Sequence, residues 1–218
     1  RTPACHGLDA PAHLLNIPDE VQRAAMVRDH VNLMTNVAAL GARTYVLHLG
    51  PRPAAAQAPT AWDAVRRALD QLAPRAAELG LLLALENGLP GYQATNEELL
   101  ALVADYAHPA VGICYDSGHA HVTADAAAVL RAFSPHVVTV HLHDNDGTAD
   151  QHLLPGQGSI VWPEVVAALA ACPRLVHVET EAANCPQWPP AHDFLSHHDA
   201  YALYRRVLNP PGTAVTYH

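Results

Sequence analysis

The 218-residue chain carries a formal net charge of −9, and all 12 of its basic residues are arginine. The lack of lysine excludes Schiff-base chemistry and a phosphate-loop lysine. The negative charge argues against nucleic acid as a partner, because neutralised phosphates supply most non-specific affinity. No apolar run is long enough to cross a bilayer. We therefore expect a single soluble, cytoplasmic domain over residues 1–218.

Short apolar runs recur along the chain and predict β-strands. In order they are Pro3–Leu8, the weakest, then Thr44–Leu49, Leu81–Leu85, Val111–Tyr115, Val137–Leu142 and Leu175–Val178. Continuous runs, rather than strict alternation, are typical of parallel strands that are covered by helices.

The segments between these runs carry helix start and stop signals. The signals are Pro18-Asp19 to Gly41, Thr60 to Gly80, a Thr95–Glu98 capping box, Pro163–Ala171 and Ala200–Leu208. Alternating strands and helices predict an α/β fold with a parallel sheet, either doubly wound or closed into a barrel. A barrel is favoured because no glycine-rich dinucleotide turn follows the first strand. It is also favoured because polar residues recur where strands end, which is where a barrel gathers its active site.

Side chains that can bind metals stand at the ends of successive apolar runs. They are His48, Glu86, Asp116, His119, His141, His143, Glu179 and Glu181. One such side chain alone is more often a helix cap or a satisfied core residue, but a succession around one barrel mouth must be paired or metal-bound. Three carboxylates and a histidine suit Mg²⁺, Mn²⁺, Co²⁺ or Zn²⁺. The sequence predicts one divalent ion at Glu86, Asp116, His141 and Glu179, with Glu181 as a competitor of Glu179.

A polar segment after His143 adds a second pair of candidates. Asp150 and His152 are two residues apart, so both side chains face the same way in extended backbone. The Pro-Gly-x-Gly turn at 155–158 bends the chain back and could aim the pair at the mouth. A solvated polar loop is the alternative.

Five sequence strings carry a resemblance to a known family. ALEN (84–87), CYDSGH (114–119), VHLHDNDG (140–147), the D-x-H-x-x-PGxG pattern (150–158) and HVET (177–180) resemble the xylose isomerase-like barrel superfamily. This superfamily includes sugar phosphate isomerases and epimerases, inosose-type isomerases and dehydratases, and the endonuclease IV group. The likeness runs from about residue 9 to residue 180. It implies a TIM-type (β/α) barrel, of which the chain as given lacks the first two β–α units. An incomplete barrel would expose apolar surface and favour a homo-oligomer.

The two branches of this superfamily imply different metal contents. The epimerase branch implies one divalent ion on Glu86, Asp116, His141 and Glu179. The endonuclease branch implies up to three zinc ions, with further ligands at His48, His119, Asp150 and His152. Its remaining early histidine falls on Asp9, while the nearby His6 and His13 are off register.

The resemblance predicts a metal-dependent isomerase or epimerase acting on a small sugar, sugar phosphate or polyol in carbohydrate metabolism. Glu86 and Glu179 would transfer a proton through a metal-stabilised enediolate. His119 would orient Asp116, and Arg52 and His143 would contact the substrate. One alternative is an endonuclease IV-like zinc phosphodiesterase acting on abasic DNA. The other is a barrel remnant that binds metal without catalysis.

Overall fold

The computed structural model describes residues 4–91 and 94–182, and its centre is a parallel six-stranded sheet. The strands are β1 (Ala4–His6), β2 (Thr44–Leu47), β3 (Leu82–Glu86), β4 (Val111–Asp116), β5 (Val137–Leu142) and β6 (Glu179–Thr180). Each strand pairs with the next one along the chain. The sheet curves into a nearly closed TIM-type barrel with helices outside, as the sequence predicts.

Six α-helices in the described part of the chain lie between these strands. They are α1 (Glu20–Ala39), α2 (Ala58–Leu79), α3 (Asn96–Tyr106), α4 (Ser117–Thr123), α5 (Ala126–Phe133) and α6 (Trp162–Leu169). Two predicted start signals are confirmed: Asp19 caps α1 through the Gln22 amide, and Thr95 and Glu98 form both bonds of a capping box at α3. None of the described helices combines the length and apolarity needed to span a membrane.

Several predicted element boundaries differ from the observed ones, and two of these differences have a local cause. Helix α2 begins at Ala58, before Thr60, because Pro59 lies in its first turn, where a missing N–H costs nothing. The last strand is Glu179–Thr180 rather than Leu175–Val178, because a turn ends only at Leu175, whose amide bonds to the Cys172 carbonyl, and the pairing with β5 begins at Glu179. The predicted helix Ala200–Leu208 lies outside the described residues.

Side chains alternate between the two faces of each strand. This alternation separates two apolar clusters and places the ligand side chains inside the barrel. In β4, Ile113 and Tyr115 belong to the large core between sheet and helices, whereas Cys114 belongs to a small cluster with Val46, Ala84 and Val138. Successive side chains on a strand point to opposite faces. Asp116 therefore lies on the same face as Cys114, at the carboxyl end of the strand.

Candidate metal centre

Four ligand-type side chains converge at the carboxyl ends of the strands. Glu86 ends β3, Asp116 ends β4, His141 lies near the end of β5, and Glu181 follows β6. One ligand atom from each lies within 4.8 Å of the others. Glu86 is 2% exposed and Asp116 and His141 are 0% exposed. Three of the four predicted ligands are thus brought together.

The fourth predicted ligand, Glu179, is absent from every such group among the described residues, and Glu181 takes its place. The register explains the difference: His141 is level with both Asp116 and Glu179 in the sheet. Barrel strands are tilted relative to the barrel axis. Side chains at the same height along that axis therefore come from positions progressively further along the chain in successive strands. Glu181, two residues beyond Glu179, is the carboxylate that reaches this height.

Two histidines hold the Glu86 carboxylate. His141 Nδ1 lies 3.0 Å from Oε1, and His48 Nε2 lies 2.8 Å from Oε2. Burial by itself would raise the pKa of Glu86, but hydrogen bonds to His141 and His48 outweigh it and hold that pKa well below its usual range. Glu86 is therefore an ionised carboxylate inside the barrel mouth.

The Asp116 carboxylate is fixed from behind by His143. His143 Nε2 lies 3.0 and 3.1 Å from the two carboxylate oxygens, and the His143 side chain is 0% exposed. Asn87 fixes the backbone of the same residue by donating to the Asp116 carbonyl and accepting from its amide. His143, expected to contact substrate, is therefore placed to orient a ligand carboxylate, since it has no solvent-facing surface.

His119 lies in α4, between the carboxylates of Asp116 and Asp150. Its Nε2 is 3.4 Å from Asp150 Oδ2, and its Nδ1 is 2.8 Å from the Asn87 carbonyl. Burial disfavours the charged ring, but Asp116 and the bond to Asp150 outweigh burial and raise the pKa of His119 to about 10. The ring is positively charged at neutral pH and can donate from both nitrogens.

The Asp150–His152 pair also lies at the barrel mouth. The loop between β5 and α6 is therefore not simply a solvent-exposed polar loop. His152 Nε2 lies 3.0 Å from Asp150 Oδ2, and its Nδ1 lies 2.7 Å from the Glu181 carbonyl. Its ring stacks on His143 with centroids 4.1 Å apart. The bond to Asp150 raises the pKa of His152 to about 9.

His6 is a site residue that motif comparison misses. It ends β1, its Nε2 lies 2.9 Å from Glu181 Oε1, and its ring stacks on His141 at 4.6 Å. The motif points instead to Asp9, which is exposed and outside β1. The signal that could have found His6 is its position within the weak Pro3–Leu8 run, which contains β1.

Arg52, expected to contact an anionic substrate, lies in the loop after β2 and forms a two-pronged ion pair. Its two terminal nitrogens lie 2.6 and 2.9 Å from the oxygens of Glu98. Since Glu98 also closes the capping box of α3, this pair ties the loop to the helix start.

The donor set fits a divalent cation on two observations. His141 Nε2 is buried and finds no hydrogen-bond partner among the described residues. Despite burial, the surrounding carboxylates raise the pKa of His119 and His141 to about 10 and about 9, respectively. The same negative field favours a bound metal ion. Carboxylate oxygens with imidazole nitrogen suit Mg²⁺, Mn²⁺, Co²⁺ and Zn²⁺.

Comparison with known sequences matches residues 3–199 to a family model described as xylose isomerase-like TIM barrel. An uncharacterised protein of Sinorhizobium fredii is 30% identical over 156 residues, covering 69% of this chain and 50% of that protein. An uncharacterised protein of Methanocaldococcus jannaschii is 33% identical over 108 residues, covering 46% of this chain and 36% of that protein. The chain thus spans half, or less, of the length of these relatives.

Solved structures share the fold. A D-tagatose 3-epimerase-like protein superposes with a TM-score of 0.77 at 24% identity, covering 95% of this chain and 78% of that chain. D-psicose 3-epimerase from Clostridium cellulolyticum with D-tagatose gives 0.78 at 18% identity, with the same coverage of 95% and 78%. A protein from Thermus thermophilus, soaked with ZnCl₂, gives 0.67 at 25% identity, covering 93% and 77%.

Proposed function

The chain belongs to the xylose isomerase-like TIM barrel family, and from this premise we propose that it is a divalent-metal-dependent isomerase or epimerase of a small keto sugar, sugar phosphate or polyol. The observation that carries the proposal is the convergence of Glu86, Asp116, His141 and Glu181 within 4.8 Å at the barrel mouth. These four residues would hold the ion. When bound, it would act as a Lewis acid on the substrate carbonyl.

Of the three carboxylates among these residues, Glu86 and Glu181 are suited to transfer a proton. Glu86 is held ionised by His141 and His48. Burial opposes ionisation of Glu181, but its hydrogen bond to His6 outweighs burial and lowers its pKa. An ionised carboxylate can remove a proton from carbon beside a carbonyl, and a second one can return it to the other face. Removal by one and return by the other inverts that carbon.

Accessibility distinguishes the two carboxylates. The Glu181 side chain is 24% exposed, whereas Glu86 is 2% exposed. Glu181 therefore meets a substrate entering from solvent more directly, and it replaces Glu179 in the proton-transfer role that the sequence suggested. His119, charged at neutral pH, is placed to donate a hydrogen bond to a sugar hydroxyl or to steady Asp116.

The comparisons support the substrate class. Structures of this fold include D-psicose 3-epimerase with D-tagatose or in the presence of D-fructose, and L-ribulose 3-epimerase. These are keto sugars with a proton on the carbon next to the carbonyl. The zinc-soaked structure of the same fold supports a metal, without selecting among Mn²⁺, Mg²⁺, Co²⁺ and Zn²⁺.

Proton exchange with solvent tests the proposal directly. The Mn²⁺-loaded chain is incubated in D₂O with D-tagatose, D-psicose, D-fructose and L-ribulose, and deuterium at the carbon beside the carbonyl is followed by NMR. We expect incorporation with at least one sugar and its loss in Glu181→Gln. The exposed Glu97→Gln serves as the matched control and should retain exchange. If a metal-loaded chain exchanges no keto sugar, the isomerase proposal fails.

A second candidate function rests on His6. His6 takes part in two further ligand groups, His6–His48–Glu86 and His6–His141–Glu181, and a third group without it, His143–His152–Glu181, shares Glu181. Several adjacent metal positions would suit a zinc phosphodiesterase acting on abasic DNA. The net charge of −9 and the lack of lysine place this candidate second. Metal analysis separates the alternatives: one equivalent favours the isomerase, three of zinc with cleavage of an abasic duplex favour the nuclease, and none favours a non-catalytic barrel.

A further inference from the structure

Asp144, two residues beyond the end of β5, has a buried carboxylate whose four hydrogen-bond donors are none of the candidate metal ligands. The residue is 0% exposed. Oδ1 accepts from the amides of Asn145 at 2.9 Å and Ile160 at 3.2 Å. Oδ2 accepts from the amide of Gly156 and the indole Nε1–H of Trp162, both at 2.8 Å.

In this arrangement both oxygens of the Asp144 side chain serve as acceptors. Each oxygen faces two N–H donors, so neither can be replaced by a donor. Asparagine would turn its NH₂ group toward two N–H groups in either orientation of the amide. A buried donor left without an acceptor is costly, and charge-assisted bonds of this kind are stronger than neutral ones.

Three of the four donors lie at or just after the end of the loop that spans residues 145–159. They belong to Gly156, Ile160 and Trp162, the last of which begins α6. Two backbone bonds between Asp144 and Leu153, of 2.7 and 2.9 Å, join the middle of the same loop to the strand end. A Cβ on Gly158 would overlap the Asn145 carbonyl, so the returning chain packs against the outgoing chain there. Asp144 is thus the point at which both arms of the loop are tied together.

The tied loop carries the Asp150–His152 pair. His152 stands next to Leu153 and has a φ of +50°, a left-handed conformation that is unfavourable for a residue other than glycine. In that conformation its ring stacks on His143 at an interplanar angle of 4°. Asp150 in turn reaches His119. The unfavourable backbone of His152 persists because its neighbour is fixed to the strand end.

We propose that Asp144 is a positioning residue that holds the 145–159 loop in the arrangement that delivers Asp150 and His152 to the mouth. Its effect on loop placement is independent of the chemistry of the site. Its effect on turnover rests on the isomerase function proposed above.

The test compares Asp144→Asn with Asp105→Asn, the same change at an exposed carboxylate of α3. The NMR signals of the His152 ring protons, which are shifted by the stacked His143 ring, are recorded in both variants. In Asp144→Asn we expect them to move to unstacked positions and the Trp162 indole N–H to exchange faster with solvent. In Asp105→Asn both signals should stay in place.

Turnover gives a second measurement in a chain that proves active on a keto sugar. Misplacement of a site group by about 1 Å can cost roughly 100-fold, so we expect kcat of Asp144→Asn to fall roughly 10- to 100-fold with a smaller change in KM. If no sugar is turned over, the isomerase proposal fails while the His152 signals still decide the role of Asp144.

A milder variant covers the case in which Asp144→Asn does not fold. Trp162→Phe removes one of the four donors and keeps most of the buried apolar volume. We expect a smaller shift of the His152 ring signals in the same direction. Unmoved His152 signals in folded Asp144→Asn would overturn the proposal. If Asp144→Asn is unfolded, unmoved His152 signals in Trp162→Phe would overturn the proposal instead.

Discussion

His6 Nε2 lies 2.9 Å from Glu181 Oε1, and this contact joins the end of β1 to the segment after β6. These two strands are the edges of the sheet, so the contact spans the one interval of the barrel without backbone pairing among the described residues. The His6 side chain is 41% exposed and that of Glu181 is 24% exposed. The hydrogen bond to Glu181 raises the pKa of His6. The pair thus orients one candidate ligand from across the mouth.

Replacement of His6 is expected to affect cation binding more than stability. An exposed ion pair contributes about 0–1 kcal/mol, so His6→Ala should leave the free energy of unfolding nearly unchanged. Loss of a group that orients a ligand commonly costs roughly 10- to 100-fold in metal affinity. Titration calorimetry with Mn²⁺ measures the affinity. An unchanged affinity in His6→Ala would show that Glu181 is oriented without His6.

Glu181→Gln and Glu179→Gln form a matched pair that decides between the two carboxylates. The convergence of Glu181 with Glu86, Asp116 and His141 predicts a loss of Mn²⁺ affinity of at least about 10-fold in Glu181→Gln. Glu179→Gln should change the affinity much less. Calorimetry under identical conditions compares them. A larger loss in Glu179→Gln would restore the assignment that the sequence suggested.

Gly118 is required because the His143 ring occupies the space where a side chain would be. A Cβ at this position would overlap the ring atoms of His143. Gly118→Ala should displace the ring from Asp116, lower the free energy of unfolding by about 1–3 kcal/mol and weaken Mn²⁺ binding.

A double-mutant cycle with His143→Ala identifies the cause of that loss. Once the ring is absent, Gly118→Ala should cost less than it does in the native chain, with a coupling of about 0.5–3 kcal/mol. Denaturant unfolding of the four proteins provides the free energies. Additive effects would mean that the alanine methyl group clashes with something other than His143.

The start of α3 offers a stability test with an internal control. The Thr95 hydroxyl accepts from the Glu98 amide at 3.2 Å, and loss of such a cap costs about 0.5–2 kcal/mol. Thr95→Ala should destabilise the chain by that amount in denaturant unfolding. Thr60→Ala, at an exposed position within α2, should be neutral or slightly stabilising because alanine favours helices. Equal losses in both variants would argue against the cap.

His30 predicts how stability depends on pH away from the metal centre. It is 0% exposed, with Nδ1 2.8 Å from the Tyr45 hydroxyl and Nε2 2.8 Å from the His13 carbonyl. Burial lowers the pKa of His30 below 6.5, although the bond to the His13 carbonyl opposes the shift. The unfolded chain therefore takes up a proton at this histidine before the folded chain does. The contribution of neutral His30 is complete above about pH 6.5 and is lost as the pH falls toward the folded pKa.

The measurement compares the native chain with His30→Gln. Because the variant cannot be protonated there, its unfolding free energy should fall less at low pH. The difference between the two proteins should narrow as the pH decreases through about 6.5. A difference that stays constant between about pH 5 and 8 would mean that folding does not lower the pKa of His30.

Local features explain what the sequence could predict. The apolar runs that became β2, β3, β4 and β5 were recognisable because burial on both faces requires continuous hydrophobic sequence. The capping box at Thr95 was recognisable because both of its partners lie within four residues. Of the three free cysteines among the described residues, Cys114 and Cys172 are buried and Cys5 is half-buried. Cys185 lies outside the described residues. The cytoplasmic location and self-association remain predictions.

The sequence by itself determined that Glu86, Asp116 and His141 stand at strand ends, because a polar residue that follows a buried run marks where the strand leaves the core. Only the tertiary structure groups these three side chains with Glu181 rather than with Glu179 and brings His6 into contact with Glu181. Those choices depend on strand tilt and register, which are set between strands far apart in the chain. For the same reason the role of Asp144 was hidden: its donors lie up to 18 residues away and meet its carboxylate only when the loop folds back.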